Sequence, residues 1–223
     1  MTETLQLEHG GLSVDVFPAR GLDLAGGRLG GTRFSWDPPY GLMFTCGLGN
    51  VGVPSEGQPQ HGHYRELPDE ALELTREIAL GSGVICVSDV VRNTGDAPEA
   101  APLLYQVNLL WDAVTTDADE MVPRDNDART GDWRELGPPG PERVYEHVGA
   151  SSATVGYGSI RIGVNSNLPR LWQWIDPSLG VLGIEPANCS VLGRTHDRAE
   201  GRLPMLAPGE ARTSTLEITV EAA

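Results

Sequence analysis

Short runs of alternating apolar and polar residues constrain the fold of this 223-residue chain more than any other feature. Val14 and Val16 alternate with polar neighbours, and Ile160, Ile162 and Val164 do the same. A period of two is typical of β-strands, because successive side chains point to opposite faces. The chain also contains 28 glycines and 17 prolines, which separate the runs. The pattern predicts an all-β sandwich or barrel.

Two stretches depart from this alternation. The best helix candidate runs from Pro68 to Leu80, although its apolar residues also suit a pair of strands. Residues 112–145 are polar, with many aspartates and a Gly/Pro-rich end. We interpret them as a surface excursion within a single domain spanning 1–223, because long loops of compact domains are often functional.

The charge and the cysteines exclude several functions. The chain has 31 acidic and 16 basic residues, a net charge of −15, and all 16 basic residues are arginine, so no lysine chemistry is available. We expect no nucleic-acid or membrane partner, because phosphate binding needs clustered positive charge and no apolar run approaches ~20 residues. Cys46, Cys86 and Cys189 are odd in number and far apart, which favours buried thiols and a cytoplasmic location.

Two histidines lie two residues apart at His61 and His63. On a strand they would face one site, whereas in a surface loop they would be solvated. His-x-His also occurs in cupin-type metal sites. Here Glu66 lies too close in sequence to the two histidines, and the segments around His147 and His196 do not resemble a cupin motif. The evidence for a metal site is therefore weak.

A single carboxylate, Glu185, lies in an apolar segment that reads as a strand. Burying a carboxylate is costly unless it is paired or functional. Glu185 is therefore a candidate general base, and the structural alternative is an ion pair with an arginine such as Arg20 or Arg194.

Amides and indoles mark two further strands. Gln106 and Asn108 share one face of an otherwise apolar strand, which favours a pocket wall. Trp172 and Trp174 share a face of another strand, and Trp111 offers a similar surface. Indoles either pack in the core or form a flat platform for a sugar ring.

Several motifs, taken in order, resemble the aldose 1-epimerase (galactose mutarotase-like) superfamily, and within it an uncharacterised branch. Each motif is weak alone, and the shared order over most of the chain makes the resemblance more specific. The matching segments are Arg20–Asp23, Thr45–Leu48, His61–Gly62, Asn93–Pro98, Gly183–Asn188 and Leu206–Glu210.

The resemblance implies an antiparallel β-sandwich with a concave sugar cleft and an isomerase that interconverts the anomers of a free sugar. Glu185 would be the base and His61 the acid, with no cofactor and no metal, and a small carbohydrate as the partner. The expected substrate contacts are Gln106, Asn108, Arg20, Asp23, His63, Asn50, Trp111, Trp172 and Trp174.

Two positions differ from the family pattern. Gln106 stands where the family strand carries its second histidine, and an amide cannot deliver a proton. His63 stands where related chains usually carry arginine. The acid is then His61 or His63, and the alternative function is a carbohydrate-binding protein without catalysis. A glycoside hydrolase normally needs two carboxylates at a fixed separation, and Glu185 is the one carboxylate that the sequence nominates.

Overall fold

The computed structural model describes residues 3–36, 40–66, 71–110, 114–115, 133–136, 142–157 and 159–222. Most of these residues form strands. The strands are β1 (Leu5–His9), β2 (Leu12–Phe17), β3 (Asp23–Leu29), β4 (Thr32–Arg33), β5 (Met43–Gly47), β6 (Leu72–Gly81), β7 (Val84–Asn93), β8 (Glu99–Ala100), β9 (Leu103–Leu110), β10 (Val114–Thr115), β11 (Trp133–Leu136), β12 (Arg143–His147), β13 (Ser152–Tyr157), β14 (Ile160–Ser166), β15 (Arg170–Asp176), β16 (Val181–Ala187), β17 (Met205–Leu206) and β18 (Ala211–Ala222).

The strands form two large antiparallel sheets. The ten-stranded sheet has the order β1-β2-β3-β5-β9-β16-β15-β12-β11, with β4 beside β3, and the six-stranded sheet has the order β10-β13-β14-β18-β7-β6. Strands β17 and β8 form a small separate pair. The all-β prediction is confirmed, and in the described part of the helix candidate residues 72–80 belong to the strand Leu72–Gly81.

Helical structure among the described residues is sparse. There are two short 3-10 turns, Pro18–Arg20 and Tyr64–Glu66, and one α-helix, α1 (Arg194–Ala199). No helix in the described part of the chain has the length and apolarity needed to cross a bilayer. Most of the excursion at 112–145 lies outside the described residues.

The main core lies between the two sheets, and β9 shows how the sequence builds it. Tyr105, Val107 and Leu109 are fully buried in this core, on the face that alternation predicts. Leu104 belongs to a second apolar cluster on the opposite face of the ten-stranded sheet. The ten-stranded sheet therefore has apolar residues on both faces. One face packs against the six-stranded sheet in the main core, and the opposite face can form a site.

A buried polar network also joins the sheets. Arg76 on β6 is 2% exposed and donates to both carboxylate oxygens of Asp89, at 2.7 and 2.6 Å. The hydroxyls of Tyr64 and Tyr105 donate to Asp89 Oδ2 at 2.7 and 2.8 Å. A buried charge needs partners of this kind, because desolvation is otherwise not compensated.

Asp23 is the second carboxylate of this network. Its Oδ1 accepts hydrogen bonds from the backbone N–H and the hydroxyl of Thr45 and lies 3.4 Å from the Arg76 guanidinium. Burial raises the pKa of Asp23 to about 6, although Arg76 opposes this shift. Asp23, an expected substrate contact, thus lies in the inter-sheet network.

Candidate functional site

A pocket of about 440 Å³ opens on the face of the ten-stranded sheet that lies away from the main core. This volume is within the range of small-molecule sites. Its lining combines apolar, aromatic and titratable side chains: Tyr40, Cys46, Val51, Gly52, Val53, Gln60, His61, Leu104, Gln106, Glu142, Val144, Trp174, Leu179, Glu185 and Val191.

Strand register brings Glu185 and Gln106 together. Strands β16 and β9 pair Ile184 with Val107 and Ala187 with Leu104, so Glu185 is level with Gln106 on the same face. The Gln106 side chain has no hydrogen-bond partner among the described residues, and it is 9% exposed. Its amide therefore faces the pocket with both a donor and an acceptor available.

Gly183 makes room for the Glu185 carboxylate. A Cβ atom at position 183 would lie 2.9 Å from Glu185 Oε1 and 3.3 Å from the Trp174 side chain, which is opposite it on β15. A distance of 2.9 Å is shorter than real Cβ contacts allow. Only glycine at this position leaves the carboxylate where it is.

Glu185 is buried and unpaired within the part of the chain that the structure describes. It is 6% exposed, and neither a hydrogen bond nor an ion pair reaches it from a described residue. Arg194, offered above as an ion-pair partner, instead binds Glu56 at 2.8 Å. Burial, and secondly the negative charge of Glu142, raise the pKa of Glu185 to about 8.

A tight turn holds His61 against the end of β5. The backbone N–H of Gly47 donates to the His61 carbonyl at 2.9 Å, and a Cβ atom on Gly62 would collide with the Gly47 carbonyl. His61 has a φ of 72°, a left-handed conformation that is strained for a residue with a side chain. The segment is thus a turn and not the strand that His-x-His would suggest.

The His61 ring is held from two sides. Its Nδ1 lies 3.2 Å from the Cys46 Sγ, and the ring meets Phe44 edge-on with centroids 5.2 Å apart. The Arg65 guanidinium lies 3.8 Å from the centroid of the Phe44 ring on β5. Burial, and secondly the charge of Arg65, lower the pKa of His61, so the imidazole is neutral at neutral pH.

A series of aromatic contacts connects Trp174 to this histidine. Trp174 meets Trp36 edge-on at 6.5 Å, Trp36 stacks with Tyr40 at 5.7 Å, and Tyr40 meets Phe44 at 5.0 Å. The Trp174 Nε1–H donates to the Glu142 carboxylate at 2.9 Å. Trp174 thus offers an indole to the pocket.

The other expected indoles are placed differently. Trp172 is 1% exposed and packs in the second apolar cluster, and its Nε1–H donates to the Cys189 carbonyl at 3.1 Å. It supports the sheet beneath the pocket and does not line it. Trp111 lies outside the described residues.

The two asparagines that we expected to contact the substrate instead form hydrogen bonds with backbone groups. Asn50 is fully buried, and its amide donates to the carbonyls of Val53 and Pro59 and accepts from the Arg194 N–H. Asn108 donates to the Gly41 carbonyl at 3.2 Å. Neither lines the pocket, and both fix segments close to it.

Arg20 and His63 also lie outside the pocket lining. Arg20 ends a 3-10 turn, and its guanidinium lies 4.9 Å from the Phe17 ring centroid. The His63 backbone N–H donates to the Gly47 carbonyl at 2.9 Å. Of the predicted site residues, the pocket brings together Glu185, His61, Gln106 and Trp174.

The pocket contains titratable residues that the sequence did not single out. From the sequence, Cys46 is interpreted as a buried apolar residue. Glu142 follows the Gly/Pro-rich stretch, which is interpreted as part of a surface excursion, and both residues line the pocket. Only the folded structure brings them to Glu185 and His61. No group of three or more His, Cys, Asp or Glu residues suited to a metal ion occurs among the described residues.

Comparison with known proteins agrees with the fold. A search of curated proteins by sequence found no match. Among solved structures, Slr1438 from Synechocystis sp. PCC 6803 superposes with a TM-score of 0.75 at 16% identity, covering 100% of this chain and 97% of that one. A protein of Klebsiella pneumoniae, provisionally named an aldose 1-epimerase, gives 0.76 at 18%, covering 96% and 78%. A galactose mutarotase-like protein from Lactobacillus casei gives 0.67 at 11%, covering 98% and 100%.

These similarities establish the galactose mutarotase-like fold, which is the fold that the motif order predicted. The sequence profile of the family described as Domain of unknown function (DUF4432) matches residues 69–220, more than half of the chain. The chain therefore belongs to the DUF4432 family and has the galactose mutarotase-like β-sandwich fold.

Proposed function

We propose that this protein is an aldose 1-epimerase-like isomerase that interconverts the anomers of a free sugar by acid–base catalysis. One observation carries the proposal: an unpaired, buried carboxylate and an imidazole line the same small-molecule pocket. A buried carboxylate that no described residue compensates is costly for the fold, and such a cost is typical of functional sites.

The chemistry requires two coordinated proton transfers. The Glu185 carboxylate accepts the proton of the C1 hydroxyl, while the His61 imidazolium gives a proton to the ring oxygen. The bond between C1 and the ring oxygen breaks, and C1 becomes a carbonyl carbon. After rotation about the adjacent C–C bond, the ring closes on the other face and both protons return to their donors.

Substrate recognition falls to the neutral part of the pocket. The Gln106 amide can donate to one sugar oxygen and accept from another, and Trp174 offers an apolar ring surface. Because an amide cannot transfer a proton, Gln106 binds the sugar and the acid role is assigned to His61. The neighbours named as epimerases or mutarotase-like proteins support a carbohydrate as substrate.

Exchange NMR on a panel of aldoses tests the proposal directly. The protein should accelerate anomer exchange of at least one aldose above the rate in buffer, and Glu185→Gln should remove the acceleration. Glu217→Gln, an exposed carboxylate on β18, is the matched control and should keep the full rate. If no aldose exchanges faster with the protein than without it, the catalytic proposal fails.

The presence of Gln106 supports a second candidate, a sugar-binding protein without turnover. This function predicts saturable binding of an aldose by titration calorimetry with no gain in exchange rate, and only a modest loss of affinity in Glu185→Gln. The cytoplasmic location stays a prediction from the sequence.

A further inference from the structure

Glu142 is the second carboxylate of the pocket, and the proposed proton transfers do not use it. It lies directly before β12, and its Oε1 accepts the Trp174 Nε1–H at 2.9 Å, which is its one hydrogen bond in the described part of the chain. No ion pair joins it to a described arginine. The carboxylate therefore faces the pocket with its charge uncompensated and its second oxygen available to a ligand.

Trp174 joins this carboxylate to Glu185. Its Nε1–H binds Glu142, while its Cε3 atom and Glu185 Oε1 both lie within 3.3 Å of the point where a Cβ on Gly183 would be. The negative charge of Glu142 reaches Glu185, because it is the second cause, after burial, of the raised pKa of Glu185. Two acidic groups thus share one pocket, at two different edges of the same indole.

Within the described residues, the pocket holds no positive side chain to balance these acids. Its lining contains no arginine, and the chain has no lysine. The imidazole of His61 is neutral at neutral pH, because burial lowers its pKa. The Arg65 guanidinium lies against the Phe44 ring and outside the lining. Uncompensated charge in a partly buried pocket is costly, and a bound cation would relieve this cost.

The neutral side chains of the pocket also suit an organic cation. The rings of Trp174 and Tyr40 line it, and the face of an aromatic ring attracts an ammonium group, most strongly for tryptophan. Gln106 is 9% exposed and has no hydrogen-bond partner among the described residues, so its amide oxygen can accept from an ammonium N–H. Carboxylate, aromatic ring and amide oxygen together form a site for an alkylammonium group.

We propose that the pocket selects its ligand by charge, with Glu142 as the specificity-determining residue: an amino sugar in its ammonium form binds more tightly than the neutral aldose of the same configuration, and sugars that carry a carboxylate or a phosphate are excluded. The ammonium group lies against Glu142 and the Trp174 ring, and Glu185 stays at the anomeric hydroxyl. That the ligand is a sugar rests on the proposed function, whereas the preference for positive charge rests on the pocket alone.

Titration calorimetry at pH 6.5 in low salt compares three charge forms of one sugar. The probes are glucosamine, glucose and glucuronate, and the corresponding galactose set. At least one amino sugar should bind about fivefold more tightly than its neutral parent, the effect of one partly exposed charge pair, and its uronate should bind more weakly than the parent. In roughly 1 M salt, where the Debye length is ~3 Å, the difference should shrink. A neutral or anionic sugar that binds more tightly than the amino sugar of its set would overturn the proposal.

Glu142→Gln removes the charge and keeps an oxygen that can accept the Trp174 Nε1–H. In this variant the affinities of the amino sugar and its neutral parent should agree within about twofold, and the uronate should no longer be excluded. Glu217→Gln, on the exposed face of β18, is the matched control and should retain the preference. An unchanged preference in Glu142→Gln would show that Glu142 does not set the selectivity.

A probe that is not a sugar separates this proposal from the proposed function. The ¹H–¹⁵N signal of the Trp174 indole N–H, assigned by Trp174→Phe, is followed while propylammonium, propanol or propionate is added. Propylammonium should shift the signal most, and Glu142→Gln should abolish that difference. If no sugar binds and propylammonium still does, the proposed function fails and the charge preference stands. If propylammonium shifts the signal no more than propionate does, the charge preference is wrong.

Discussion

At the residue scale, burial separates the pKa values of the two candidate proton carriers. The pKa of Glu185 is raised to about 8, while that of His61 is lowered below its usual 6.5. Between these values the pair holds one proton, which resides mainly on the carboxyl group. A protonated Glu185 with a neutral His61 suits ring closure of the open-chain aldehyde. Ring opening of the cyclic sugar needs the proton on His61 instead, with Glu185 ionised.

The rate should therefore depend on pH through the single shared proton. With two protons the pair has no base, and with none it has no acid, so kcat/KM should be bell-shaped. We expect the alkaline limb near pH 8 and the acid limb below pH 6.5, measured by anomer exchange between pH 5 and 9.5.

Glu142 provides a test of whether the raised pKa of Glu185 sets the alkaline limb. Its charge contributes to the raised pKa of Glu185, so Glu142→Gln should move the alkaline limb to lower pH. Glu217→Gln on the exposed face of β18 should leave the profile unchanged. A rate that stays constant from pH 7 to 9.5 in the wild type would contradict the shared-proton scheme.

Sequence reasoning found Glu185 because a lone carboxylate in an apolar strand is costly, and this cost is visible without a structure. It could not find Cys46 or Glu142, because their nearness to Glu185 depends on strand pairing and on where residues 142–147 join the sheet. The contacts of Asp23 within the inter-sheet network could not be predicted for a similar reason. Its partner, Arg76, lies 53 residues away on the other sheet.

At the element scale, strand alternation predicted most of the architecture, and two segments show its limits. In β6 the inward positions are Leu72, Leu74, Arg76 and Ile78, and the arginine interrupts the apolar series. The remaining leucines and isoleucine then fit a helix as well as a strand. The turn that carries His61 has no periodic signal, because tight backbone contact with Gly47 determines its shape.

This turn gives an element-scale prediction. Gly62→Ala adds a Cβ that collides with the Gly47 carbonyl, at a φ of 65°. The turn must move, taking His61 with it, so kcat/KM should fall by about 100-fold, the loss that a displacement of ~1 Å can cause. Anomer exchange measures the rate, and near-UV circular dichroism checks the fold.

Gly57→Ala is the control for backbone strain alone. Gly57 also has a positive φ, 76°, but nothing lies within 4 Å of an added Cβ. This variant should cost about 1 kcal/mol of stability and keep its rate, since only strain is introduced. Equal kinetic losses in the two variants would show that the contact between Gly62 and Gly47 does not position His61.

At the scale of the whole molecule, the polar network between the sheets makes stability depend on pH. The folded-state pKa of Asp23, about 6, exceeds its unfolded value of ~3.9, so the folded protein binds more protons between these values. Stability contributed by Asp23 is therefore lost as pH rises through this window. The raised pKa of Glu185 extends the decline toward pH 8.

Arg76 is the cation that compensates two buried carboxylates, so Arg76→Met should lower the free energy of unfolding by about 3–5 kcal/mol at pH 8. The loss should be smaller at pH 5, where Asp23 is protonated. Urea denaturation at both pH values measures this difference. Adding Asp89→Asn to Arg76→Met should recover part of the stability, and a larger loss at pH 5 than at pH 8 would contradict the assignment.

The loop that leads to His61 is fastened at its outer end by charge. Glu56 binds the guanidinium groups of both Arg194 and Arg198 from α1, at 2.8 and 2.9 Å, where solvent reaches all three side chains. Dissolved ions weaken such exposed pairs, whereas the contacts inside the sandwich are shielded from them. We therefore expect rising salt to loosen the outer end of this loop, and with it the alignment of the imidazole, while the strands that carry Glu185 stay in place.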